Sequence, residues 1–223
     1  RLPQVPAELQ IALSNMMRYG NPMGESPRKR AAWVDGAGVP VPILREVGRP
    51  VDVLWVVDCC AAYRPRGQAS SRATARVLAA LGVDFAILGN EEKCSGECVR
   101  MAGESGLFEA LRKQNMATFG KYEFRSLLTS DPHAFDAFTY VYPPLGLDRP
   151  VDHTTPFLAA HLDAIRPRLT RELGYRVTYH DSCVLGRRNP MHDQPRPILE
   201  AIPGVSLVEM THNRDKTICC GGG

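Results

Sequence analysis

The 223-residue sequence predicts an α/β protein of two pseudo-repeated, doubly wound lobes with mainly parallel sheets. Three observations predict it. Continuous apolar, β-branched runs such as VDVLWVV (51–57) have the composition of strands covered on both faces of a parallel sheet. These runs alternate with helix-periodic segments closed by glycine. The cysteines also repeat: 33 residues separate Cys60 from Cys94 and 35 separate Cys183 from Cys219, as two copies of one unit would place them.

Residues 1–50 read as an N-terminal helix and linker. The helix lies in PAELQIALSNMMRYG, with Pro6 suited to its start and Gly20 to its end. Residues 51–145 form the first lobe. Its strand VDVLWVV is followed by the helix SSRATARVLAALG, whose apolar positions include Val77, Leu78 and Leu81 and which stops at Gly82. VDFAILG is the second strand, GLFEALRKQNMATFG the next helix and FRSLLTSD the third strand. The proline-containing YVYPPLGLDRP (140–150) connects the lobes. Residues 146–223 form the second lobe: a helix in TTPFLAAHLDAIRPRL capped by Thr155, a strand in YRVTYHD, a short helix in QPRPILEAIPG and a strand in VSLVEM.

Composition excludes several function classes. A balance of 27 basic against 24 acidic residues lacks the clustered excess of a nucleic-acid footprint. The local basic run SPRKRAAW reads as a solvated turn. No apolar run approaches the roughly 20 residues of a membrane span, and RLPQVPAELQ is unlike a secretory signal. GNPMGES lacks the lysine of a phosphate-binding loop, and no serine sits in a nucleophile elbow.

The seven cysteines are clumped: Cys59 and Cys60, Cys94 and Cys98, Cys183, and Cys219 and Cys220. Clumping in a chain without an export signal points to metal or redox chemistry rather than a disulfide scaffold. In each lobe the first cysteine falls just past a strand and the next a β–α–β step later. Residues beyond the carboxyl ends of neighbouring parallel strands converge on one crevice, so distant thiols meet there. Thiolates select soft metals and iron–sulfur clusters. Gly221 and Gly222, with no Cβ, let backbone N–H groups approach the sulfurs, and Gly96 does so more weakly. Buried inert thiols and zinc are the competing readings, and zinc stays open as a reading of the first lobe.

YHDSCVLGRRN, the gap of 35 residues and CCGGG together resemble the cysteine-rich (CCG) domain of heterodisulfide-reductase-like iron–sulfur oxidoreductases. The pattern of that family is C-x(31–39)-C-C-x(35–36)-C-x-x-C. Cys183, Cys219 and Cys220 match it, and the closing C-x-x-C would begin near residue 256, so the resemblance implies a fragment. The first lobe resembles a degenerate copy. Cys60 and Cys94 match, Ser95 replaces the paired cysteine, and Asp131-Pro132-His133-Ala134 stands where C-x-x-C is expected. Cys59 and Cys98 lie outside the pattern. The lobe is then either a cluster-free relic or a differently held site; adjacent Cys59 and Cys60 point oppositely if both stay extended, which favours the relic.

NMMRYGNPMGESPRKRAAW, GVDFAILGNEEKCSGE and IPGVSLVEMTHNRDKTICCGGG are similar to the branch containing electron-transfer-flavoprotein:quinone oxidoreductases. The resemblance implies electron transfer through a [4Fe-4S]-type cluster, cubane or noncubane, from an electron-transfer flavoprotein or another flavoprotein donor towards quinone. Ferredoxin-like and membrane modules would complete the full-length protein, which would sit at the cytoplasmic face of the membrane. A disulfide acceptor, as in heterodisulfide reduction, is the alternative, and a zinc- or thiol-containing structural subunit is a third reading. His180 and Asp181 either contact the cluster surroundings or satisfy backbone groups at the strand end. Arg187 and Arg188 either offset the cluster's negative charge or are solvated. His133 and His153 read as structural.

Overall fold

The run VDVLWV forms β1 (Val51–Val56) in a computed structural model that describes residues 5–221. Two parallel neighbours flank it: β2 (Phe85–Ala86) with Val53 opposite Phe85, and β3 (Phe124–Thr129) with Leu54 opposite Leu127. The sheet order is β2-β1-β3-β4, with β4 at Val151–His153. The chain divides into two compact units after Val151.

In the first unit the helices Pro65–Ala80 and Ser105–Phe119 follow β1 and β2, as crossovers between parallel strands require. Leu54 and Leu127 are fully buried in a core shared with Met16, Phe119, Phe138 and Tyr142. Trp55 packs edge-on against Trp33 at 5.5 Å between ring centroids and against Phe85 at 6.1 Å. Its indole therefore ties the N-terminal segment to the sheet. The N-terminal helix runs Ala7–Tyr19 and ends at Gly20 with φ 69°, the left-handed turn that favours glycine. Gly67 lets the helix Pro65–Ala80 start close against the short helix Cys59–Tyr63: a Cβ there would lie 2.2 Å from the carbonyl oxygen of Cys60.

The second unit departs from the expected doubly wound lobe. Its two strands, β5 (Arg176–Val177) and β6 (Ser206–Leu207), are parallel but have only two residues each. The remainder of YRVTYHD and VSLVEM is not strand, and no further strand joins this pair among the described residues. The helix expected across TTPFLAAHLDAIRPRL is broken into Thr154–Ala160, Leu162–Ile165 and a 3-10 turn at Arg166–Arg168. His161 marks the break: its ring stacks on Phe157 at 4.3 Å and its Nδ1 lies 2.8 Å from the Phe157 carbonyl, competing with the helical ladder. Nor is Thr155 the cap. His153 Nδ1 accepts the Thr155 N–H at 3.1 Å.

Candidate functional site

In the first unit, three connections converge beyond the carboxyl ends of the parallel strands. The chain leaves β1 through Asp58, whose φ of 68° is unusual for a residue with a Cβ. Its carboxylate accepts the N–H groups of Cys60 (2.7 Å) and Ala61 (3.2 Å) and so caps the helix Cys59–Tyr63. Cys59 and Cys60 therefore begin a helix rather than extend the strand, which removes the premise that they point oppositely as strand neighbours. Cys59 is buried and Cys60 exposed.

An ion pair that the sequence reading missed holds the first connection to the second. Arg30, expected on a solvated turn, is buried against Glu92, each side chain 3% exposed. Glu92 accepts both Arg30 Nε (3.1 Å) and Nη2 (2.5 Å), and also the N–H groups of Val57 and Asp58 at 2.9 Å each. Arg30 Nη1 reaches Cys59 Sγ at 3.5 Å, and its guanidinium lies 5.6 Å from the centre of the Tyr63 ring. Residues far apart in the chain thus fix Cys59.

Cys94 is fixed through its backbone. Its N–H donates to the Gly20 carbonyl at 2.9 Å, its carbonyl accepts Asn115 Nδ2 at 2.9 Å, and Tyr142 donates its hydroxyl to the Ser95 carbonyl at 2.8 Å. Gly96, at φ 81°, turns the chain back under Phe108 into the short helix Glu97–Met101, which carries Cys98. Cys59, Cys94 and Cys98 influence one another's ionisation. Donation to Cys94, together with burial, raises the pKa of Cys59 against the opposing pull of Arg30. The bond Cys94 accepts from Cys59 lowers its pKa, but donation to Cys98 and burial outweigh it, and the net shift is upward. Cys98, at the accepting end, is lowered. Burial and the neighbouring Asp58 raise Cys60.

Asp58 itself is pushed up to about 7, first by burial and then by Asp131, which caps the helix Pro132–Asp136. A carboxyl raised in the folded state binds a proton that the unfolded chain has already lost, so its contribution to stability falls as pH climbs from about 4 through about 7. Asp58→Asn keeps a capping oxygen and tolerates the positive φ. Urea titrations at pH 5 and pH 8 should show a smaller stability difference in the variant than in the parent; an equal difference would assign the pH dependence to other groups.

In the second unit, Cys183 Sγ lies 4.0 Å from Cys219 Sγ. Cys219 is exposed and its pKa is lowered, first by the Gly221 N–H directed at its sulfur (3.4 Å), then by Cys183, and further by the charge of Arg187; a weaker hydrogen bond comes from Cys220. Gly221 has φ 76°, a left-handed turn that aims this N–H. Gly222 lies outside the described residues. A π-helical turn, Val184–Arg188, follows Cys183 directly. His180 Nε2 lies 2.8 Å from the Ile218 carbonyl, immediately before the cysteine pair. Asp181 is buried and pairs with Arg196 through both oxygens (2.9 and 3.0 Å) while accepting the Arg214 N–H at 2.7 Å. Burial opposes its ionisation, but these bonds win and its pKa is lowered. His180 and Asp181 thus fasten the segment that carries Cys219. Arg196, unmarked in the sequence, completes the clasp by also binding Glu209.

No disulfide joins any of the seven cysteines. Among the described residues no three His, Cys, Asp or Glu side chains are disposed to hold a metal ion by themselves. The second-unit donors nevertheless suit an iron–sulfur cluster in kind. They are soft thiols on accessible backbone, one of them already biased towards thiolate and hydrogen-bonded at sulfur. Among the described residues no helix is long and apolar enough to cross a membrane.

The cysteine-rich domain named CCG matches residues 55–135 and 177–223. The probable iron-sulfur-binding oxidoreductase FadF of Bacillus subtilis is 38% identical over 99% of this chain, which corresponds to 32% of that relative. The EtfAB:quinone oxidoreductase of Syntrophomonas wolfei is 35% identical over 98% of the chain and 31% of its own length. A polypeptide of the dihydromethanophenazine:CoB–CoM heterodisulfide reductase of Methanosarcina barkeri is 32% identical over 92% of the chain and 50% of its own length. The chain therefore spans from 31% to 50% of the length of these relatives. No solved structure matches it.

Proposed function

The chain belongs to the CCG cysteine-rich domain family, and on that premise we propose that it is the cluster-holding part of an iron–sulfur oxidoreductase that passes electrons from a reduced flavoprotein towards quinone. The observation that carries this reading is the meeting of Cys183 and Cys219 at 4.0 Å, 36 residues apart in sequence, with Cys220 adjoining. Two relatives, one named a probable iron-sulfur-binding oxidoreductase and the other a quinone oxidoreductase, support the redox class.

In this reading Cys183, Cys219 and Cys220 are ligands of a [4Fe-4S]-type cluster, and the closing C-x-x-C of the family pattern completes the set. When bound, the cluster supplies one-electron transfer at its iron. The chain's own residues prepare the place. Gly221 directs an N–H at the Cys219 sulfur, the interaction by which sulfur ligands are tuned. Arg187 adds positive charge beside that thiolate. His180, Asp181 and Arg196 keep the ligand-bearing loop from moving away. Exposure of Cys219 and Cys220 leaves this edge open to a donor protein. Because quinones reside in the bilayer, we place the site at the cytoplasmic membrane face.

The organisation into residues 1–50, 51–145 and 146–223 goes with this proposal, as does a first lobe that binds no cluster, a reading that rests on Ser95, Asp131 and Ala134 standing where the family pattern has cysteine. A disulfide acceptor is the second reading, favoured by the heterodisulfide reductase relative. Purified anaerobically and reconstituted with iron and sulfide, a chain that carries the closing C-x-x-C should hold both elements and give a paramagnetic signal that changes on reduction. Zinc alone, or no metal, would overturn the proposal. Coupled assays with reduced flavoprotein and either a quinone or a disulfide separate the two acceptors.

A further inference from the structure

The second-unit thiols meet through protein contacts alone. Cys183 Sγ and Cys219 Sγ stand 4.0 Å apart although the residues are 36 positions apart in sequence. Two crosslinks between the arms that carry them hold this spacing. Asp181, two residues before Cys183, accepts the Arg214 N–H at 2.7 Å, and its buried carboxylate is gripped by Arg196 at 2.9 and 3.0 Å. His180 Nε2 lies 2.8 Å from the carbonyl of Ile218, the residue before Cys219. The Gly221 N–H lies 3.4 Å from Cys219 Sγ, as a donor that steadies negative charge there. Cys219 is exposed and Cys183 half-buried, so a small reagent reaches Cys219 first. Cys220 is a poor partner for its neighbour. No cis peptide occurs among the described residues, so adjacent Cα atoms stand about 3.8 Å apart, below the roughly 4.4–6.8 Å that a disulfide spans.

We propose that Cys183 and Cys219, whenever no cluster occupies them, are a two-electron dithiol–disulfide couple that exchanges with low-molecular-weight disulfides, with Cys219 as the entering nucleophile and Cys183 as the resolving thiol. That a cluster is the competing occupant rests on the proposed function; the couple itself does not. Exposed Cys219, as thiolate, attacks one sulfur of an external disulfide RSSR, forming a mixed disulfide and releasing RS⁻. That RS⁻ takes the proton of Cys183 and leaves as RSH. The Cys183 thiolate then attacks the Cys219 sulfur, closing the internal disulfide and expelling the second RS⁻. The two cysteines lose two electrons and the external disulfide gains them. The crosslinked arms favour the closing step, because the resolving thiol is already beside its target. The closed state also spares an exposed sulfur from irreversible oxidation, since thiols recover a disulfide but not a sulfonic acid.

The test uses the full chain, freed of metal by a chelator and equilibrated with graded mixtures of oxidised and reduced glutathione, then alkylation of remaining thiols and peptide mapping. A Cys183–Cys219 linkage should appear as the mixture becomes oxidising and disappear on return to the reducing one. Cys183→Ser should instead accumulate a glutathione adduct on Cys219 that does not resolve. Asp181→Asn, checked for folding by circular dichroism, should take up glutathione at the parental rate but close the disulfide about tenfold more slowly, the value of one hydrogen bond to a charged group. His180→Ala, at an exposed contact, should slow the same step. Three outcomes overturn the proposal: Cys183 and Cys219 alkylatable at every ratio, a linkage of Cys219 to another cysteine instead, or an unmodified Cys219 in Cys183→Ser. Unchanged closing rates in Asp181→Asn and His180→Ala remove the role given to the crosslinks. In a chain that carries the closing C-x-x-C and is loaded with iron and sulfide, the linkage should be absent at ratios that form it without metal. Linkage there with iron retained would overturn the cluster ligands and leave the couple standing, so the two failures are distinguishable.

Discussion

Cys219→Ser should lower bound iron and sulfide at least about tenfold and remove the reduction-dependent paramagnetic signal. Loss of a group that merely orients a metal ligand already costs about ten- to a hundredfold, and Cys219 is proposed as a ligand itself. The position is also where three local influences meet: the Gly221 N–H, the Cys183 sulfur and the Arg187 charge. Serine keeps the size and the turn but replaces a soft donor with a hard, protonated one. Cys98→Ser serves as the control, because the first unit is assigned no cluster, and it should leave iron unchanged. Iron retained by Cys219→Ser would refute the ligand assignment, and iron lost equally in both variants would implicate the first unit.

Arg30→Met should destabilise the protein by about 3–5 kcal/mol, the usual result of removing one partner of a buried ion pair. Methionine fills much of the arginine stem's volume, so the loss reports charge rather than a cavity. Glu92 would keep the N–H groups of Val57 and Asp58 but lose both guanidinium contacts in a site 3% exposed. Urea unfolding measures the change, and a loss below about 1 kcal/mol would mean that water reaches the pair. Cys59, whose ionisation Arg30 favours, should be alkylated more slowly in the folded variant.

The sequence carried the parallel sheet well because its signals are local. VDVLWV and FRSLLT are mostly β-branched or apolar and long enough to fix their class, and each became a six-residue strand. The N-terminal helix and its Gly20 stop were equally legible. VSLVEM and YRVTYHD carried the same kind of signal but yielded two residues each, since strand length is set by the neighbours available for pairing. The break at His161 rests on a ring contact with Phe157 that periodicity does not encode. At the candidate site, cysteine spacing was enough to pair Cys183 with Cys219. Arg30, Glu92 and Arg196 were hidden because a charged residue in RKR or EEK has the same local pattern whether it is solvated or buried. What distinguishes Arg30 is a carboxylate 62 positions away.

Glu92 has a consequence for which substitutions its position tolerates. One of its oxygens faces three donors and the other faces the N–H of Val57. Glutamine has the same shape, yet its amide would set hydrogen against hydrogen at one of these contacts in either orientation. The usual isosteric exchange is therefore closed here by acceptor count alone, and drift at residue 92 has to pass through a compensating change at Arg30 or in the turn that follows β1.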